Sequence, residues 1–296
     1  MNQPCRIHAP GRALVFGASG QIGERVLARL AAQGWRIVAV SRQAHAPRPA
    51  VHWHHGDLST PPPPGPFAAI FSCGPLDHFA RWYAQADIQA PRIVAFGSTS
   101  LQVKQDSGDA HERDLARRLI EAERQVFETA QARNAAATVL RPTLVYGAGR
   151  DLTLTRIAAL AWRSGHFVLP AGATGRRQPV HVEDLGDAAL AVLARPATHA
   201  RSYALGGGEV VTYEEMVRRV LDALPQPARL WRVPAWSFAA ALRAAHALGR
   251  LHGMNAAALQ RMREDLVFDL APARCDFGYA PRGFAPSAAE LGIEGP

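Results

Sequence analysis

The segment Gly17-Ala18-Ser19-Gly20-Gln21-Ile22-Gly23 carries the strongest chemical signal in the chain. It follows an apolar run and opens a helical pattern, the setting in which spaced glycines bind phosphate rather than only turn the chain. Gly17 can make the tight turn, Gly20 can bring bare backbone to a pyrophosphate, and Gly23 can let the helix lie close to the sheet. Ser19, Gln21 and Ile22 complete this candidate contact set. Free N–H groups at the helix start, with the helix dipole behind them, favour an anion there.

Two nearby features name the anion. Val40-Ser41-Arg42 ends the second apolar run, where an acid would hydrogen-bond a ribose. An arginine at that place, with Ser41 beside it, suits a 2′-phosphate, so NADP is expected over NAD. Arg42 as an ordinary solvated side chain is the alternative. Gly56-Asp57-Leu58 follows the third run; Asp57 and Leu58 either meet the adenine or Asp57 caps a turn. His52 and His54 share one strand face but have no third ligand, so no metal is expected.

These residues need a scaffold of alternating strands and helices. Strands are predicted at 13–16, 36–40, 51–54, 67–72, 93–96 and 137–140, and helices at 21–32, 76–86 and 112–132. The prolines at 61–64 forbid a regular crossover helix after the third strand. A helix near 152–163, a strand at 167–169, a helix capped by Asp184 and a strand at 203–205 follow. Beyond Thr212 the pattern is mostly helical, with amphipathic segments over Phe238–Leu251 and Ala256–Leu266 that suit packing within a small lobe, or else a partner groove or a membrane-facing surface. This is the rhythm of an α/β protein, a doubly wound parallel sheet of the Rossmann kind, with a smaller, mainly helical C-terminal lobe. The expected division is residues 1–206 for NAD(P) binding, with 147–177 open as a contributor to the substrate cleft, and 207–296 as the substrate lobe.

Bulk properties exclude other classes. The chain has 296 residues, 48% of them apolar and 20% charged, an ordinary globular composition. The formal charge is +8, but it is scattered, and every base except Lys104 is arginine. No aromatic-interleaved basic stripe accompanies it, so nucleic acid is not an expected partner. No apolar run is long enough to span a bilayer, and no membrane partner is expected. The opening residues lack a signal-like core, and Cys5, Cys73 and Cys275 form no disulfide framework. A cytoplasmic protein with reduced thiols is the expectation; its oligomeric state is not legible.

With GASGQIG, GDL, Ser72-Cys73-Gly74, FGSTS, LRPTLVYG and RRQPVHVEDL in this order, the chain resembles the extended and atypical short-chain dehydrogenase/reductases, the NAD-dependent epimerase/dehydratase group. The resemblance is strong over residues 12–206. It implies that Gly17, Gly20 and Gly23 hold the pyrophosphate, that Cys73 and Gly74 lie along the cofactor, and that Pro142 and Thr143 lie by the nicotinamide. It further implies that Arg177 contacts a substrate diphosphate, as in relatives handling nucleotide sugars; a solvated arginine is the alternative.

The family's catalytic set is a Ser or Thr, a Tyr and a Lys four residues on, the Lys lowering the phenol pKa while hydride moves. FGSTS places Thr99 at the hydroxyl position, either as a catalytic group or as one that orders the loop. No YxxxK exists in the chain. Matching LIEAERQVF to the family's long helix puts Leu115 and Leu119, or Arg113 and Arg117, at those places. Tyr146 is the nearest alternative acid, or else a buried tyrosine of the RP loop. His181 and Asp184 can be read as an acid/base pair, or as a strand-end His and a helix cap. Two functions stay open. One is an NADP-dependent oxidoreductase or epimerase-like enzyme with a non-standard proton donor, acting on a small carbonyl, alcohol or nucleotide-sugar-like substrate. The other is a catalytically silent NADP-binding sensor, chaperone or assembly factor.

Overall fold

The structure, a computed structural model, describes residues 11–238, 240 and 260–293. Most of the two predicted amphipathic segments lies outside the described residues. The first half runs β1 (Arg12–Phe16), α1 (Gln21–Ala32), β2 (Arg36–Ser41), β3 (Val51–His55), β4 (Ala69–Ser72), α2 (Leu76–Gln85), β5 (Arg92–Phe96), α3 (Ser100–Val103), α4 (Ala110–Ala132) and β6 (Ala136–Pro142). Then come β7 (Val145–Tyr146), α5 (Leu154–Ser164), β8 (His166–Pro170), β9 (Arg176–Arg177), β10 (Val180–His181), α6 (Val182–Ala191), β11 (Arg201–Leu205), β12 (Val211–Thr212), α7 (Tyr213–Asp222), β13 (Arg229–Val233) and α8 (Ala271–Phe277).

Seven strands form one parallel sheet in the order β11-β6-β5-β4-β1-β2-β3. Strand order reverses between β1 and β4, and in such sheets ligands bind outside the strand C-termini at that point. Both faces are covered, which explains the unbroken apolar runs. Ala13 and Val15 point to a core shared with α1 and α6, while Leu14 and Phe16 point to one shared with α2 and α4. As the prolines require, β3 and β4 are joined without a helix. No helix among the described residues is long and apolar enough to cross a membrane.

A third core, holding Leu154, Ile157, Leu169, Met216, Val217, Phe284 and Leu291, lies among α5, α7, β8 and the last residues described. Here the sequence reading missed strands: β13 pairs in parallel with β8, and β12 pairs antiparallel with β9. The chain then returns to the main sheet, where α8 packs Phe277 edge-on to Tyr203.

The expected capping by Asp184 is corrected. The helix α6 begins at Val182, and its cap is His181, whose Nδ1 accepts from Glu183 N at 3.2 Å. Asp184 lies inside the first turn and accepts from Arg282 N at 3.0 Å and Arg282 Nε at 2.8 Å. A ring nitrogen can cap as a hydroxyl does, which residue-type preferences do not reveal.

Arg92 opens β5 with a buried guanidinium that donates to Ala136 O, Thr138 Oγ1, Val192 O and Thr198 Oγ1. Desolvation pulls its pKa down to about 10. Arg92→Met leaves those acceptors without their charged donor, and a loss of about 2–4 kcal/mol is expected. It would be read as a lower urea midpoint at unchanged slope.

Candidate functional site

The glycine turn is fixed by steric demand at two of its three positions. Gly17 has φ +67°, and a β-carbon there would sit 2.7 Å from Cys73 C. At Gly23 it would sit 2.1 Å from Gly17 O. Gly20 differs: its nearest neighbour would be 3.1 Å away, so the protein itself asks little of it. Gly20 is also the N-cap of α1 and supplies no side-chain hydrogen bond to the first turn. A bare, uncapped helix start is what a pyrophosphate needs. Arg150, which no sequence pattern singled out, donates from Nη1 to Ser19 O at 2.9 Å and so stands against the turn.

A cavity of about 800 Å³ opens from this turn, and Gly17, Ser19, Ser41, Arg42, Asp57, Leu58 and Gly74 line it. These are candidate cofactor residues drawn from the ends of β1, β2, β3 and β4. Gly20, Gln21, Ile22 and Gly23 form the adjoining helix start. Ser41 Oγ is 2.8 Å from His45 Nε2 and accepts from Gln43 N. The exposed Arg42 makes no ion pair among the described residues. Asp57 accepts from Ser59 Oγ at 2.6 Å and Ser59 N at 2.8 Å. These bonds, with the charge of Arg42 as a lesser cause, hold its carboxyl below the usual range. The half-buried Cys73 thiol is pushed up to about 12 by desolvation, so it stays neutral.

A second cavity, of about 500 Å³, lies over the ends of β5 and β6 and is walled by α5, β8 and residues 261–268. Thr99, Thr143 and Arg177 come together here. Thr99 is buried, with its Oγ1 donating to Pro142 O at 3.2 Å. Pro142 takes part through that carbonyl and lines neither cavity. Thr143 Oγ1 donates to Gln178 O at 2.5 Å. Arg177 is not the solvated arginine of one reading. It is buried and donates to the carbonyls of Arg176, Glu264 and Arg261, with its guanidinium 5.2 Å from the Tyr213 ring centre. Burial lowers its pKa. Lys104, Arg156 and Arg261 also line this cavity, and no spacing in the sequence connects them.

Residues 13–73 and 110–206, more than half of the chain, match the sequence model described as "NAD dependent epimerase/dehydratase family". The chain belongs to that family. A UDP-glucose 4-epimerase from Vibrio cholerae is 26% identical over 180 residues, 60% of this chain and 52% of that enzyme. The match thus spans about half the length of that relative. Among solved structures, an epimerase from Methanothermobacter thermautotrophicus has a TM-score of 0.69 at 14% identity, covering 96% of this chain and 91% of that one. MoeE5 in complex with UDP-glucuronic acid and NAD gives 0.68 at 17% identity, covering 96% and 97%. At these identities the likeness is one of fold.

For a member of the epimerase/dehydratase family, α4 is unusual in carrying neither tyrosine nor lysine. In one register Leu119 is buried in the core and Leu115 packs against it. In the other, Arg113 donates to Ser107 O, and Arg117 pairs with Asp114. Tyr146 lines neither cavity. Its ring is buried edge-on to His181 and Phe284, its hydroxyl is 3.5 Å from Gly283 O, and desolvation pushes its pKa up to about 12. His181 Nε2 meets Glu290 Oε1 at 3.0 Å, while Asp184 turns to Arg282, so these two are not engaged with each other.

Burial raises the pKa of all five tyrosines: Tyr83, Tyr146, Tyr203, Tyr213 and Tyr279. None is tuned to pass a proton near neutral pH. Ultraviolet titration of the native protein should therefore show fewer tyrosines ionised at pH 10 than the half or so ionised in denaturant. Unfolding releases phenols that ionise near pH 10, so stability should fall as pH rises from about 10 through 12.

Proposed function

We propose that the protein is an NADP-dependent oxidoreductase or epimerase-like enzyme that works on a small carbonyl or alcohol, without a phenol as proton donor. The observation that carries this reading is the pair of cavities along one edge of the sheet, the first opening from the bare start of α1 and the second holding Thr99 and Thr143. The residues fit a dinucleotide. The turn from Gly17 to Gly23 would take the pyrophosphate, Asp57 and Leu58 the adenine side, and Cys73, Gly74, Pro142 and Thr143 the nicotinamide side. Arg42 and Ser41 would take a 2′-phosphate, and Arg42 has no competing ion pair among the described residues. When bound, the coenzyme supplies or accepts one hydride.

The chain's own residues do the positioning. Thr99 Oγ1 donates to Pro142 O in the structure. A χ1 rotation would aim the same hydrogen at a substrate oxygen, orienting the carbonyl without ionising. The proton that balances the hydride would come from solvent at the cavity mouth. A neutral Cys73 adds no charge beside a polyanionic cofactor. The three widely spaced cysteines suit the reducing cytoplasm, where we place the protein.

A second reading, a silent NADP-binding sensor or assembly factor, is favoured by the leucine packing on α4 and by the existing bond of Thr99. Turnover separates the two. NADPH is expected to raise the melting temperature more than NADH, and Arg42→Ala should weaken NADPH binding about tenfold while leaving NADH nearly unchanged. Equal binding of both coenzymes by the wild type would overturn the NADP preference. Thr99→Ala should lower kcat about a hundredfold on a carbonyl that is reduced, with little change in coenzyme affinity. Coenzyme binding with no oxidation of NADPH across a broad carbonyl panel would favour the silent reading.

A further inference from the structure

The second cavity departs from what a sugar ring requires. A hexose presents hydroxyls around its whole edge, and each needs a donor or acceptor when buried. Here most of the uncharged polar lining is gathered near the strand ends, in Ser98, Thr99, Ser100, Thr143 and Gln178, with Thr153 and Tyr213 added from the starts of α5 and α7. Leu152, Leu160, Phe167, Val168, Met262 and Phe268 line the rest of it largely with hydrocarbon. Three of these large apolar side chains are left wet at the mouth: Leu152 is 80% exposed, Leu160 54% and Val168 39%. An occupant that covered them would remove that apolar surface from water.

The charge on the cavity has one sign. Lys104, Arg156, Arg177 and Arg261 line it, and among the described residues no Asp or Glu does. Lys104 Nζ and Arg261 Nη1 both turn to one carboxylate, Glu112, at 3.4 and 2.5 Å. Two cations thus share a single anion. Arg177 is occupied by backbone carbonyls. Arg156, exposed near the start of α5, makes no ion pair among the described residues. A cation left open beside a hydrocarbon wall selects a ligand that is apolar over most of its length and anionic at one end.

Resting on the reading of this cavity as the substrate site, we infer that the substrate is a hydrophobic carboxylate with a carbonyl or hydroxyl group. Its hydrocarbon body lies along α5 and β8, its carboxylate meets Arg156, and its reacting oxygen is near Thr99. Nucleotide sugars are not the ligand.

The test is binding to the full chain with its coenzyme, using decanoate, decanol, decyl phosphate and UDP-glucose as probes. Decanoate is expected to bind at least about tenfold more tightly than decanol, and UDP-glucose to give no thermal shift. Arg156→Gln, at an exposed position, should weaken decanoate about tenfold while leaving decanol and NADPH binding unchanged. UDP-glucose binding in place of decanoate, decyl phosphate binding in place of decanoate, or decanoate binding unaffected by Arg156→Gln would each overturn the inference. Turnover is scored separately. Decanoate binding without NADPH oxidation by any hydrophobic oxo acid would sink the enzymatic reading and spare the ligand class. NADPH oxidation by a sugar nucleotide alone would do the reverse.

Discussion

The first turn of α1 and the end of β1 approach so closely that a β-carbon on residue 23 would fall 2.1 Å from Gly17 O. On its other side Gly17 lies against the Cys73–Gly74 peptide, at a distance that admits no side chain. Bare backbone therefore joins the ends of β1 and β4 to the start of α1 at the point where the strand order reverses. The exposed helix N-terminus must then point out of the sheet edge beside the cleft. Both cavities take their position from this contact, one over β1, β2 and β3 and the other over β5 and β6. A larger residue at position 17 or 23 would displace the helix and both cavities with it.

The loss of the phenol has a physical counterpart on α4. A tyrosine used for proton transfer must face the cleft with a cation nearby to lower its pKa. In this chain Leu119 is drawn into the core beneath the sheet and Leu115 packs against it, so in that register the helix has apolar burial where the family resemblance implies a tyrosine and a lysine. The hydroxyl that remains, Thr99, can orient a carbonyl but cannot act as an acid at neutral pH. On the proposed reading, that leaves steps in which positioning and hydride supply do most of the work and water serves as the proton source.

The Rossmann half was legible because its determinants are local. Short unbroken apolar runs, a helix opened by glycine and a proline run after β3 are each readable within a dozen residues. Helix α1 was bounded correctly at both ends, as Gln21 and Gly34 mark them. The failures are non-local. The strand β13 carries arginines and tryptophan and becomes a strand only because β8 offers a parallel edge. His181 displaced Asp184 as the cap of α6 because Arg282, nearly a hundred residues on, claims that carboxylate. In the same way Arg177, readable from its motif as a ligand for phosphate, is held by carbonyls of the segment at 261–264.

That contrast explains why the two cavities differ in what sequence can say of them. The first is made of backbone, and backbone recognition leaves glycines at fixed spacing. The second is made of side chains from α5, β8 and residues 261–268, and no common spacing links them. Charge follows the same division. Most acids near the surface are held by arginines, such as Glu183 by Arg25 and Arg29, or Glu209 by Arg219, so the net +8 forms no continuous basic stripe. Arginines such as Arg36, Arg163, Arg195, Arg229, Arg263 and Arg274 also lack ion pairs among the described residues, but they line neither cavity. Arg42 and Arg156 are unpaired in the same sense, exposed, and each at the edge of one cavity. An exposed guanidinium loses little by remaining solvated and gains most where a concave wall excludes water from the ion it meets. On the proposed reading, those two arginines are where the excess positive charge of this chain acts selectively on ligands.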